Sequence, residues 1–313
     1  MSNKPKDNLY SQLKNDPSRI YVIAEAGLNH GGSKERALSL VRAAKWAGAD
    51  AVKFQTFRAD RLASNRPAAL GHTKDQPNLQ ELFKKLELPF DAFRALFKEA
   101  NKLNIDFLST PFDEESADFL DELGVTAFKI SSGDITHRPL IENVSRKGKP
   151  VLLSTGMSTG EEIEKAIDWM HTQANDQTIL LHCVSSYPAQ PEELNLKSVE
   201  YLRDRFGVPV GFSDHSVGSL GATVAVSLGA QVIERAGLMD IEMRLSTGEA
   251  HPQDATALRI GFCRGELELA AVELVRYVLC QTGFRQQAGR GGRQAGSQEL
   301  PPGPFDTRPG CGI

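Results

Sequence analysis

The sequence predicts an α/β protein, a parallel TIM (β/α)8 barrel, and three observations carry that prediction. Short apolar runs recur about every 25 to 30 residues, nearly all end in a polar residue, and amphipathic stretches with helical spacing lie between them. Alternating strand and helix with short connections argues for parallel βα units. A barrel gathers the C-terminal ends of its strands at one mouth, so polar run-ends on eight separate strands would build a single site. An open doubly wound sheet is the runner-up. No Gly-rich dinucleotide fingerprint follows the first run, where only Gly31-Gly32 stands, and this disfavours it.

Taken in order, Ile20 to Ala24 ends at Glu25, and Ala51-Val52 runs into Lys53-Phe54-Gln55. Ile105 to Leu108 ends at Ser109-Thr110, and Ala127-Phe128 gives way to Lys129 and Ser131-Ser132. Val151 to Leu153 ends at Ser154-Thr155, and Ile179 to Leu181 at His182-Cys183. Val208 to Phe212 ends at Ser213-Asp214-His215, and Val232-Ile233 at Glu234. Between these runs the helical period appears. After Ser33, an N-cap, Ala37, Leu40, Val41, Ala44 and Gly48 share a face, as do Phe93, Leu96, Phe97 and Ala100 further on. Ser158 with Glu161 reads as a capping box, continued by the stripe Ile163, Ala166, Ile167 and Met170. Val217, Leu220, Val224 and Leu228 line the helix between the last two strands.

One connection is long. Arg58 to Pro89 is polar, carries Pro67, Pro77 and Pro89, and holds a short helix around Leu79 to Lys85. After a barrel strand, such a loop reads as a lid or an oligomer contact rather than a bare linker. Leu267, Ala270, Ala271, Leu274 and Val278 outline a last helix. Gln281 to Ile313 is rich in Gly, Gln, Arg and Pro, too poor in apolar surface to offset ordering, and reads as a loose tail. The expected division is an N-terminal arm over 1–17, a barrel domain over 18–280 and a tail over 281–313.

The bulk numbers agree. The chain has 313 residues, 40% hydrophobic and 24% charged, and a barrel needs about 250 residues. A net charge of -4 gives no electrostatic case for nucleic acid. Met1 to Asp16 is polar, neither signal peptide nor membrane span, and every apolar stretch falls short of the roughly 20 residues a span requires. Cys183, Cys263, Cys280 and Cys311 are too scattered for a disulfide framework or a clustered zinc site, which points to a reducing cytoplasm.

Lys53 and Lys129 stand on separate strands, flanked by apolar residues. Each alone reads as a rim lysine whose head snorkels to water. Together with Ser109, Thr110, Ser131, Ser132, Ser154 and Ser213 they outline an anion pocket, with ammonium groups for charge and hydroxyls for orientation. A lysine Schiff base is the competing use. His215, beside Asp214 and across from Glu25, is a candidate ligand for Mn2+, Fe2+ or Zn2+, or for Mg2+ if water fills most positions. His182 reads equally as a core residue, and His30 as a cap of the first helix or a substrate contact.

The motifs Ala24-Glu25-Ala26-Gly27-Leu28-Asn29-His30, Val52-Lys53-Phe54-Gln55-Thr56-Phe57 and Ser109-Thr110-Pro111-Phe112-Asp113 open a longer series. Lys129-Ile130-Ser131-Ser132-Gly133-Asp134, Leu153-Ser154-Thr155-Gly156-Met157, Leu181-His182-Cys183 with Tyr187-Pro188, and Gly211-Phe212-Ser213-Asp214-His215 complete it. In this order the chain, over about 20 to 235, resembles the sialic acid synthase family of nonulosonate synthases. The resemblance implies condensation of phosphoenolpyruvate with an open-chain N-acetylated amino sugar, such as N-acetylmannosamine, with release of phosphate. It implies that Lys53, Thr110, Lys129, Ser132, Ser154 and Ser213 hold phosphoenolpyruvate, and that Gln55, Asp134 and Tyr187 face the sugar. It also implies that His215 binds a divalent metal, Mn2+ or Mg2+, with Glu25 reaching it directly or through water. By the same resemblance the fold is a TIM barrel followed by a small antifreeze-like domain, exchanged between the subunits of a homodimer.

The chain departs from that pattern after Arg235. The family places a second metal-binding histidine where Ala236 stands, and nothing beyond resembles the C-terminal domain; Asp240 and His251 are the nearest replacements. A rival expectation is therefore a catalytically impaired or non-catalytic barrel that binds phosphoenolpyruvate or sugar. A third is another phosphoenolpyruvate-dependent condensing enzyme, such as a 3-deoxy-heptulosonate synthase, which Asn29-His30 and Tyr187-Pro188 fit less well.

Overall fold

The computed structural model describes residues 7–65 and 79–235, all within one compact unit. Eight strands form one sheet: β1 Tyr21–Gly27, β2 Ala51–Thr56, β3 Asp106–Pro111, β4 Phe128–Ile130, β5 Val151–Ser154, β6 Thr178–Cys183, β7 Val210–Asp214 and β8 Val232–Arg235. Every ladder is parallel, the neighbours run β3-β2-β1-β8-β7-β6-β5-β4, and the end strands β3 and β4 lie side by side. The protein is a nearly closed TIM barrel. Around it lie α1 Leu9–Asn15, α2 Lys34–Trp46, α3 Ala59–Leu62, α4 Leu79–Leu86, α5 Phe90–Leu103, α6 Glu114–Leu123, α7 Arg138–Ser145, α8 Gly160–Thr172, α9 Ser198–Phe206 and α10 Leu220–Ser227.

The site follows from a period of two inside the barrel. Ile23, Ala51, Leu108, Ala127, Leu152, Leu181 and Val232 pack into one buried interior layer. Two residues on, the same strands carry Glu25, Lys53, Thr110, Lys129, Ser154, Cys183 and Glu234, which line a cavity. The remaining strand, β7, places Gly211 beneath Ser213. A Cβ on Gly211 would stand 2.5 Å from Val232 O and 2.6 Å from Leu181 Cδ2, so the interior is already full there. Outward-facing residues such as Phe54, Phe107, Phe128 and Phe212 pack instead under the helices, with Leu40, Phe93, Leu120 and Ile163.

Local signals explain the helices. Ser33 caps α2 by accepting from Arg36 N–H, and Ala37, Leu40, Val41 and Ala44 are buried as the spacing predicts. In α5 Phe93, Leu96 and Ala100 are buried. Three details differ from expectation. The capping box of α8 is one residue further along, Thr159 with Glu162, because Thr159 is the residue with extended backbone before the first helical turn. In α10 the buried face is Gly221, Ala222 and Ala225, while Val217 and Leu220 are 82% and 60% exposed. Small residues let this helix lie close to the sheet, where Gly221 faces Leu194 and Ser216, and the larger apolar residues turn outward. The N-terminal arm contains a helix: Asn8 caps α1, and Leu9 and Leu13 are buried in the interior layer with Tyr21 and Ile23. Gln231 Nε2 ties it down by donating to Leu13 O at 2.7 Å.

The helix expected around Leu79 to Lys85 is α4, but 66–78 of the same connection lie outside the described residues. So do Ala236, Asp240, His251, the outlined last helix and the tail. No helix among the described residues is long and apolar enough to cross a membrane.

Candidate active site

A cavity of about 510 Å3 opens at the C-terminal ends of the strands and is lined by residues from all eight. Its floor is a buried charge cluster. Lys53 Nζ lies 2.6 Å from Glu25 Oε2, 3.7 Å from Glu234 Oε1, and donates to Thr110 Oγ1 at 3.2 Å. Lys129 Nζ lies 3.8 Å from Glu234 Oε2 and donates to Ile130 O at 3.1 Å. Glu234 Oε1 accepts from Ser213 Oγ at 3.2 Å. Lys53, Lys129, Thr110, Ser154 and Ser213 are all buried, and Ser154 Oγ has no partner among the described residues.

Glu25 owes its position to a break in the ladder. The register between β1 and β2 shifts between Glu25 and Gly27, and Gly27 takes a left-handed φ of +49° that favours glycine. Such bulges re-aim a side chain at a barrel rim. Burial raises the Glu25 carboxyl to a pKa of about 7, with Lys53 opposing and Glu234 adding to the rise. Desolvation also pushes Glu234 up, but Lys129 and Lys53 outweigh it and hold this carboxyl below its ordinary range. Lys53 is pushed down by burial yet raised on balance by Glu234 and Glu25. Lys129 is lowered on balance, because burial exceeds what Glu234 returns.

His215 sits above this floor. A ring nitrogen, Nδ1, lies 2.7 Å from Val184 O, a carbonyl that can only accept, which assigns the proton to Nδ1. Nε2 is left as the lone-pair nitrogen, 3.2 Å from Tyr187 Oη and 3.4 Å from Ser213 Oγ. The Tyr187 ring stacks on the imidazole, centroids 4.1 Å apart. A backbone carbonyl that fixes the tautomer is how imidazole ligands are oriented for metals. Behind it, buried Asp214 accepts from Ser216 N–H at 2.9 Å and Ser216 Oγ at 2.6 Å, and from Arg235 Nη1 at 2.9 Å.

Glu25, Lys53, Gln55, Thr110, Lys129, Ser132, Ser154, Tyr187, Ser213 and His215 thus line one cavity, as does Ser131. Asp134 does not; it lies in a short 3-10 turn, its carboxyl raised by burial and drawn down by Ser131. Ser109 bonds Thr56 Oγ1 at 2.7 Å away from the cavity. His182 is a core residue, 2.7 Å from Leu194 O, and His30 caps a turn, its Nδ1 accepting from Gly32 N–H. Glu234 and Cys183 line the cavity as two of the run-ends the sequence places at the mouth, but the sequence reading assigns neither a chemical role. No group of three His, Cys, Asp or Glu among the described residues could by itself hold a metal. The residues that would hold a cation are His215, through Nε2, and Glu25, directly or through water, with water filling the other positions.

A family model described as the NeuB family matches residues 40–253. An N,N'-diacetyllegionaminic acid synthase of Legionella pneumophila is 44% identical over 228 residues, 70% of this chain and 64% of its own length. A protein of Methanocaldococcus jannaschii is 43% identical over 230 residues, 74% of this chain and 65% of its own. The chain therefore spans less than two thirds of the length of these curated relatives. Among solved structures, the N-acetylneuraminic acid synthetase of Leptospira borgpetersenii, in complex with citrate, superposes with a TM-score of 0.67 at 32% identity. That match covers 90% of this chain and 89% of the other.

Proposed function

We propose, from the fact that this chain belongs to the NeuB family, that it is a nonulosonate synthase joining phosphoenolpyruvate to an N-acetylated amino sugar with release of phosphate. The observation that carries the reading is the pairing of two buried lysines with Thr110, Ser154 and Ser213 beneath an imidazole whose Nε2 faces the same cavity. Lys53 and Lys129 would hold the phosphate and carboxylate, with the hydroxyls of Thr110, Ser132, Ser154 and Ser213 completing the acceptor and donor set. Gln55 and Tyr187, at the more exposed end, would face the sugar, and Asp134 would reach it only from behind Ser131.

In the reaction, C3 of phosphoenolpyruvate bonds to the sugar's aldehyde carbon, whose oxygen takes a proton. Water captures the cationic C2 and gives one proton to Glu25. The new hydroxyl then loses the second proton to solvent as C2=O forms and the C2–O bond to phosphate breaks. The water's two protons balance those gained by the aldehyde oxygen and the departing phosphate. Lys53 and Lys129 stabilise the phosphate charge as it leaves, in a site where burial strengthens the interaction. His215 and Glu25 would hold a Mn2+ or Mg2+ ion, which when bound supplies Lewis-acid polarisation of the aldehyde. Phosphate release from phosphoenolpyruvate with N-acetylmannosamine and Mn2+ tests the proposal; no release with this or a diacetamido sugar would refute turnover.

A second reading has its own support. With His215 the one imidazole among the described residues that line the cavity, and Ala236 after Arg235, the same barrel would bind phosphoenolpyruvate without turning it over. Calorimetric binding without phosphate release would select it.

A further inference from the structure

We propose that Glu234 is a specificity-determining residue: its carboxylate acts as a built-in counter-anion between Lys53 and Lys129, so that only a ligand with two anionic groups competes well for the pair. The inference rests on the anion-binding half of the reading above and goes beyond it, since Glu234 has no role there.

Geometry carries the argument. The two Glu234 oxygens divide between the lysines, Oε1 at 3.7 Å from Lys53 Nζ and Oε2 at 3.8 Å from Lys129 Nζ. Both separations are too long for hydrogen bonds, so charge alone links these groups. Oε2 has no hydrogen-bond partner among the described residues, and the side chain is 8% exposed. An ammonium carries three donors. Lys129 Nζ spends one on Ile130 O, which leaves donor capacity for an incoming oxygen. The arrangement pairs charges without satisfying hydrogen bonds: the Glu234 carboxylate stands between the two ammonium groups and bonds neither.

That pairing sets what binds. A small anion entering next to Glu234 gains two lysines but meets that carboxylate at close range, a repulsion that burial strengthens. A ligand bearing both a phosphate and a carboxylate offers separate acceptors to Lys53 and Lys129 and recovers more. Ser154, whose Oγ is unpartnered among the described residues, adds a donor for such a ligand, while the one Ser213 proton is held by Oε1. Glu234 therefore excludes inorganic phosphate and other simple anions while admitting phosphoenolpyruvate.

The test is calorimetric, in metal-free buffer at pH 7, with inorganic phosphate and phosphoenolpyruvate as probes. Glu234→Gln keeps an oxygen to accept from Ser213 and removes the charge. It should bind inorganic phosphate about tenfold more tightly than the wild type, as loss of one nearby like charge predicts. The preference of phosphoenolpyruvate over phosphate should shrink by a similar factor. Glu234→Asp, which keeps the charge, should retain weak phosphate binding. Thermal unfolding with and without phosphate checks the folded state, and phosphate should raise the midpoint of the Gln variant more than that of the wild type. If phosphoenolpyruvate binds the wild type but the Gln variant gains nothing for phosphate, the counter-anion role is wrong while the anion pocket stands. If neither form binds either probe, both are wrong.

Discussion

Arg235→Met is the sharpest test of how the strand ends are held. Arg235 Nη1 lies 2.9 Å from Asp214 Oδ2, and the two side chains are 12% and 0% exposed. They face each other in the β7–β8 register, one step beyond Ser213 and Glu234. At 2.9 Å and an effective dielectric of about 20, the Coulomb attraction is roughly 6 kcal/mol before desolvation. Breaking such a pair from one side strands a buried carboxylate, at a cost of about 3–5 kcal/mol. Asp214 keeps its two bonds from Ser216, so the expected loss is near the lower figure, about 3 kcal/mol. Urea unfolding of the wild type, Arg235→Met, Asp214→Asn and the double variant gives the coupling energy directly. Additive effects, or a single-variant loss below about 1 kcal/mol, would refute the reasoning. Because His215 follows Asp214, Mn2+ binding followed by electron paramagnetic resonance should weaken in Arg235→Met and recover in Arg235→Lys.

Lys129→Met should lower phosphoenolpyruvate affinity about tenfold to a hundredfold by calorimetry, the worth of a charged hydrogen bond. His215→Ala should weaken Mn2+ binding by more than about tenfold, read as free Mn2+ signal, with secondary structure by circular dichroism unchanged. Burial, with Arg36 adding, lowers the His30 imidazole from 6.5 to about 4. A depressed folded pKa means the neutral form is favoured in the fold. The stability is therefore present above about pH 6.5 and lost as pH falls through about 4, approaching 3 kcal/mol for the full shift. His30→Asn, which keeps an acceptor for Gly32 N–H, should flatten that acid limb in unfolding titrations.

The barrel was legible because its signal repeats. Each apolar run ends in a polar residue, and the two-residue step from Ile23 to Glu25 or Leu152 to Ser154 is the step from interior layer to cavity. Long helices with wide apolar faces, α2, α5 and α8, were legible for the same reason. What escaped had weaker or competing patterns. The buried face of α10 uses Gly221, Ala222 and Ala225, residues with little hydropathy contrast, and Val217 and Leu220 drew attention to the wrong side. Helix α1 is seven residues long, below the length at which periodicity is informative. Glu234 carried the same run-end signal as Glu25 but sits where the motif resemblance fades, so its chemistry was overlooked.

Helix α1 has a consequence for the barrel as a vessel. Leu9 and Leu13 seal the end opposite the cavity, against Tyr21, Ile23 and Ile179, and Gln231 clamps the seal by bonding Leu13 O and Asp16 O. A chain starting at Ser18 would keep every residue of the cavity yet uncover the underside of the interior layer. Water would then reach Tyr21, Ile23 and Ile179, in the apolar layer that lies below Lys53 and Lys129.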